Sequence, residues 1–117
     1  MWITIAAVSG MLAVVAGAFG AHGLRERLSP EQLSSWATAS HYQLLHSVVL
    51  LALGLFAAST GRSIRWPGSL FLTGIVLFSG SIYLLVLTRQ RWLGPVTPLG
   101  GLCLIAGWAS LLLLVKK

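Results

Sequence analysis

Four long stretches of this chain contain no Asp, Glu, Lys or Arg, and nothing else in the sequence limits its fold as much. They run from about Trp2 to Ala21, Tyr42 to Ser59, Trp66 to Thr88 and Pro98 to Val115. Each is about 20 residues long, enough at about 1.5 Å per residue to cross about 30 Å of hydrocarbon. Lipid offers the backbone no hydrogen-bond partners, so each stretch must satisfy its own as a helix. Barrel strands alternate over about ten residues and do not fit. Composition agrees, with 56% of the 117 residues hydrophobic and 9% charged; a soluble domain carries about 25% charge. A chain this short buries only about two-thirds of its surface on folding. It lacks the polar surface of a soluble enzyme, and it is too apolar for a disordered or fibrous chain. The expected fold class is an all-α integral membrane protein, one membrane domain over residues 1–117.

The first stretch lacks the basic start of a signal peptide, because residues 1–24 hold no Lys or Arg. It reads as a span, although Gly17-Ala18-Phe19-Gly20-Ala21 has the small residues of a cleavage site. Between the first two spans, Ser29-Pro30-Glu31-Gln32 reads as a capped helix start. Leu33, Trp36, Ala37, Ser40 and Leu44 follow at helical spacing, and no Gly or Pro interrupts residues 31–52. The spacing predicts a short interfacial helix over about 30–41, which either runs into the second span or meets it at a bend. The remaining loops, about 60–65 and 89–97, are short. Short loops force antiparallel neighbours, so the expected architecture is an up-down four-helix bundle.

Net charge is +6. The basic residues fall in pairs at span ends: Arg25/Arg27, Arg62/Arg65, Arg89/Arg91 and Lys116/Lys117. That is the pattern of side chains reaching lipid headgroups, not of a nucleic-acid surface. Four basic residues lie on each side, so the positive-inside bias is level and dual topology is permitted. Cys103 is the only cysteine, which excludes an intramolecular disulfide.

Inside the spans, Ser9, Ala13, Gly17 and Ala21 form a stripe of small residues, and Cys103/Gly107 with Ala106/Ser110 repeat it. Such stripes let helix backbones approach closely. Ser79-Gly80-Ser81 places two hydroxyls near mid-span, as helix-to-helix fasteners or as a small polar cavity with Tyr83. Trp2, Trp36, Trp66 and Trp92 are expected in an aromatic belt at the membrane boundary. Trp108 falls within a span, and its N–H is expected on a hydroxyl or carbonyl of another helix.

His22, His41 and His46 are the only candidates for metal or proton chemistry. His41 and His46 sit about 140° apart on a helix and do not share a face. No metal, haem or other cofactor is expected from this set. His46 lies about one turn into the second span, where an ionisable group is a functional candidate. Tyr42 precedes it by one turn and can reach it. Arg25, Arg27 and the helix start at Ser29 suit a phosphate, here that of a lipid headgroup. No phosphate-binding loop, zinc-protease motif or nucleophile elbow is present. No span contains a carboxylate, which weighs against a proton-coupled exporter.

Gly17-Ala18-Phe19-Gly20-Ala21-His22, Trp36-Ala37-Thr38-Ala39 with Tyr42, Gln43 and His46, Leu77-Phe78-Ser79-Gly80-Ser81-Ile82-Tyr83, Val96-Thr97-Pro98-Leu99-Gly100-Gly101 and Gly107-Trp108 occur in that order. In these the chain resembles the domain of unknown function 423 family, which includes YgdD-like bacterial inner-membrane proteins and the eukaryotic transmembrane protein 256 group. Thr88-Arg89-Gln90-Arg91 departs from it, at a turn expected to be Gly-rich. The resemblance implies a multi-pass inner-membrane protein and carries over no catalytic residue. It coincides with His22, Tyr42, Gln43, His46, Ser79, Ser81, Tyr83 and Thr97, several of which are expected to meet in one hydrogen-bonded cluster. The leading reading is a non-enzymatic membrane protein packing against lipids, itself as a homo-oligomer, or a larger complex. A small oligomeric transporter or channel and a lipid or quinone binder are the alternatives.

Overall fold

In hydrocarbon each apolar stretch winds up its own backbone, and the ends are set by local chemistry. The computed structural model describes residues 1–115; Lys116 and Lys117, counted above among the terminal charges, lie outside the described residues. α1 is Trp2–His22, α2 is Pro30–Thr60, α3 is Arg65–Thr88 and α4 is Arg91–Val115. All four are long and apolar enough to cross a membrane, and no strand occurs among the described residues.

Ser29 caps α2: its Oγ accepts from the Gln32 N–H at 3.2 Å, and Gln32 Oε1 accepts from the Ser29 N–H at 2.9 Å. From there α2 runs unbroken for 31 residues, about 46 Å. The helix over 30–41 therefore runs straight into the second span, the first of the two alternatives expected for it, with no bend between them. Nothing between the cap and Gly54 breaks the backbone ladder, so the helix has no cause to bend. Gly61, at φ 72°, ends it in the left-handed conformation.

α3 is irregular. Its α-helical Arg65–Ile75 and Ser81–Thr88 segments flank a π-helical turn, Val76–Gly80. It ends on Arg89, whose φ of 58° makes it the only non-glycine residue with positive φ among the described residues. This is the turn where the family resemblance led to an expectation of glycine. α4 opens with a 3-10 turn at Arg91–Leu93 and continues as α-helix over Val96–Ser110 and Leu112–Val115. Arg62 Nη1 donates to the Leu114 carbonyl at 2.8 Å, joining the loop after α2 to the far end of α4.

α2 is the hub. Its Trp36, Ser40, Ser47 and Gly54 meet α1; Ala39 and Gln43 bond to α3; Leu53 and Phe56 lie toward α4. Leu50, Leu53, Ile64, Phe71, Ile75 and Leu104 form the main core with Ala6. A smaller cluster of Leu24, Trp36 and Val86 closes the other end. Glycines permit close approaches between helices. A Cβ on Gly100 would strike the α3 backbone at Phe78, one on Gly74 would strike the Leu104 side chain of α4, and one on Gly20 would strike the Trp36 ring. Outward-facing side chains such as Met11 and Ile105, 60% and 65% exposed, cover the periphery. In a soluble protein that surface would aggregate; against lipid it is solvated.

Trp36 corrects the aromatic-belt expectation. It is buried, and its Nε1–H donates to the Ala16 carbonyl of α1 at 2.7 Å. Trp66 and Trp92 are exposed at helix ends, and Trp2 packs over Gly68.

Candidate functional site

Besides the Trp36–Ala16 bond between α2 and α1, the polar side chains inside the helix bundle form four fasteners among the described residues, not one cluster. The largest joins α1, α2 and α3. Tyr83 OH donates to Gln43 Oε1 at 2.7 Å, and Gln43 Nε2 donates to the Ser9 carbonyl at 3.0 Å. Ser9 Oγ and Ser47 Oγ lie 2.7 Å apart, and Ser47 Oγ is 2.6 Å from the Gln43 carbonyl. Ser47 has a single proton; when the carbonyl takes it, Ser9 is the donor to Ser47 and both hydroxyls are satisfied. The Tyr83 ring packs on Trp36 at 4.7 Å between centroids.

The second fastener is Ser79 Oγ donating to the Ala39 carbonyl of α2 at 2.7 Å. It springs from the π-helical turn of α3. The third pairs Ser81 Oγ with Thr97 Oγ1 at 2.5 Å, joining α3 to α4.

The fourth is built on His46, which is 3% exposed. Trp108 Nε1–H donates to His46 Nε2 at 3.1 Å, and His46 Nδ1 lies 2.8 Å from the Tyr42 carbonyl. An indole only donates and a carbonyl only accepts. These partners therefore assign the neutral imidazole with its proton on Nδ1. Phe71 and Tyr42 pack their rings on the imidazole. The expectation that Trp108 would find a hydroxyl or carbonyl is corrected: its acceptor is a ring nitrogen. Tyr42 does reach His46, but through its main-chain carbonyl and ring face, while its side chain is 44% exposed.

His22 is exposed at the end of α1 and joins none of these groups. His41 is exposed as well. Arg25, Arg27 and Ser29 are all exposed at one end of the molecule, but the Ser29 hydroxyl is occupied by its own helix cap. Among the described residues no three His, Cys, Asp or Glu side chains converge on a metal position.

Ser9 and Ser47 are working members that were not among the sequence candidates for the cluster, and Trp108, expected to bond another helix, was not expected to bond His46. A signal for Ser47 existed. Trp36, Ser40, Gln43 and Ser47 follow at helical intervals along one face of α2, and that face meets α1.

Beside the largest fastener, a groove of about 690 Å³ opens between α1 and α3. Ile5, Val8 and Leu12 form one wall, Ile75 and Val76 the other, and Gln43, Ser79 and Tyr83 lie along its floor.

Comparison with known proteins adds the following. Residues 16–101 match the family described as Protein of unknown function (DUF423), a stretch that holds Gln43, His46, Ser79, Ser81, Tyr83 and Thr97. A UPF0382 membrane protein of Staphylococcus aureus (strain bovine RF122 / ET3-1) is 43% identical over 100% of this chain and 96% of its own length. Another, from Staphylococcus epidermidis (strain ATCC 12228 / FDA PCI 1200), is 44% identical over the same shares. A UPF0382 membrane protein of Schizosaccharomyces pombe is 46% identical over 92% of this chain and 95% of its own. No solved structure matches the chain.

Proposed function

The chain belongs to the DUF423 family of membrane proteins of unknown function, and from that premise we propose that it is a non-enzymatic multi-pass protein of the inner (plasma) membrane. Its polar interior serves to hold four helices in one arrangement that neighbouring lipids, a second copy or a larger complex can recognise. The observation that carries this reading is that the interior has no idle reactive group. Every buried side-chain nitrogen or oxygen among the described residues has a hydrogen-bond partner. His46 has both ring nitrogens engaged, which leaves it no free lone pair to act as a base. The serine hydroxyls are tied to main-chain carbonyls or to one another, with no base beside them. Polar side chains bound to main-chain carbonyls or to one another also leave no open polar track for an ion.

Reconstitution into liposomes tests this. Proton and potassium leak should match that of protein-free vesicles, with wild type and His46→Gln alike. A leak that depends on His46 would replace this reading with the channel. Native mass spectrometry with lipids retained then distinguishes a monomer from a discrete oligomer.

A further inference from the structure

We infer that the seam between α1 and α2 binds one anionic phospholipid, with its phosphate at Arg25, a glycerol ester at His41 and an acyl chain along the two helices; this rests on the reading above that lipids recognise the bundle, and it names which lipid and where.

Three observations carry it. The first is a groove with one charged end. A hollow of about 390 Å³ lies between α1 and α2, and Arg25 and His41 line it. A second, of about 320 Å³, lies between the same helices nearer the start of α1 and has no titratable lining residue. Ala7, Gly10, Val14, Gly17 and Ala21 recur at intervals of three or four along α1. Leu33, Ala37, His41, Leu44, Val48 and Leu51 do the same along α2. Both hollows therefore lie in line on one side of the seam. From Ala7 to Ala21 the groove runs about 21 Å, the reach of an acyl chain.

The second is the depth of His41. Gly17 packs on Ser40, which sets His41 level with a residue about 7 Å inside the end of α1. α1 has 21 residues, so its length matches the hydrocarbon thickness of about 30 Å. His41 is nonetheless exposed. Neither it nor Arg25 has a side-chain hydrogen bond or ion pair among the described residues. Ionisable side chains within a span ordinarily face a partner or water. At this place only a lipid can bring an acceptor to the imidazole N–H, and the ester carbonyls of a phospholipid lie just below its phosphate.

The third is charge. Arg25 puts a full positive charge at the mouth of the groove, and no carboxylate lines either hollow. Glu31 lines a different hollow, with Ile82 and Pro98. A guanidinium takes a phosphate through parallel N–H donors, and basic pockets between membrane helices bind anionic lipid heads. The larger groove between α1 and α3 has no such end, since none of its lining residues is charged. A soluble phosphate would leave His41 and the apolar length uncovered, and a fatty acid has no ester below its charge. Charge, then ester, then hydrocarbon is the order of groups down a phospholipid.

The protein in detergent micelles is titrated with phosphatidylglycerol, or with phosphatidylcholine of the same acyl chains, and bound lipid is counted by native mass spectrometry. One phosphatidylglycerol should be retained, at least about tenfold more tightly than phosphatidylcholine. Arg25→Gln should weaken its binding at least about tenfold and His41→Leu about fivefold. Both side chains are exposed and without partners among the described residues, so the variants keep the fold, and unchanged melting temperatures without lipid check this. Arg65→Gln, exposed at the other end of the bundle, should bind as wild type. Equal retention of the two lipids, or unchanged affinity in either groove variant, overturns the inference. So does full competition by glycerol 3-phosphate, because the site then takes a soluble phosphate. Any of these failures leaves the leak measurement above untouched.

Discussion

A single imidazole and a single indole tie α2 to α4 where no water can help. Trp108→Phe leaves His46 Nε2 buried without a donor, and His46→Phe leaves the indole N–H without an acceptor. Each should lower stability by about 1 kcal/mol, with a coupling of about 0.6 kcal/mol in a double-mutant cycle measured by unfolding in mixed micelles. A coupling of zero would mean that the two rings only pack. The glycines give a sharper contrast. Gly100→Ala forces a methyl into the α3 backbone, which cannot move aside, and should lower the melting temperature markedly. Gly80→Ala enters open space and should leave it unchanged or raise stability by up to about 1 kcal/mol. These residue-level roles were only partly legible in the sequence. Gln43, His46 and Ser79 stood out as polar residues in apolar runs. Their partners did not, since a main-chain carbonyl such as that of Ala16 or Ala39 carries no mark in a sequence.

Helix ends are local events, and α2 and α3 differ for that reason. The capping box at Ser29 was readable because its parts lie within four residues. Beyond it the ladder has no break, and α2 is one rod. Spin labels on Cys substitutions at Ala37 and Leu55, in a Cys103→Ala background, should report a backbone separation of about 27 Å. A joint near residue 41 would give a shorter, broader distribution. At the end of α3, Arg89 sits in the left-handed region, which costs an L-residue about 1–2 kcal/mol. Arg89→Gly should therefore raise stability by up to about that amount, read as a higher melting temperature. The π-helical turn at Val76–Gly80 left no mark in the local sequence, and the residue packed closest on its backbone, Gly100 of α4, is distant in sequence.

At the scale of the molecule, four antiparallel helices place the loops at 23–29 and 89–90 at one end, with the start of α1 and the loop at 61–64 at the other. Cys substitutions at Arg27 and Gln90 should react together with a membrane-impermeant thiol reagent from one side of a vesicle, and Ser63→Cys from the opposite side. A molecule with dual topology would still keep the first pair together, each labelled in part from both sides.

Membrane residence, four spans, their antiparallel order and the helix start at Ser29 were determined by the sequence alone. Each follows from a property of consecutive residues: apolar length, loop length, or side-chain chemistry within one turn. The depth of Trp36, the separation of the polar residues into four fasteners, the exclusion of His22 and the groove between α1 and α3 were decided only by tertiary structure. They depend on the rotation of each helix about its axis. In lipid, where an apolar face gains little by turning inward, that rotation is set by small residues and hydrogen bonds contributed by different helices.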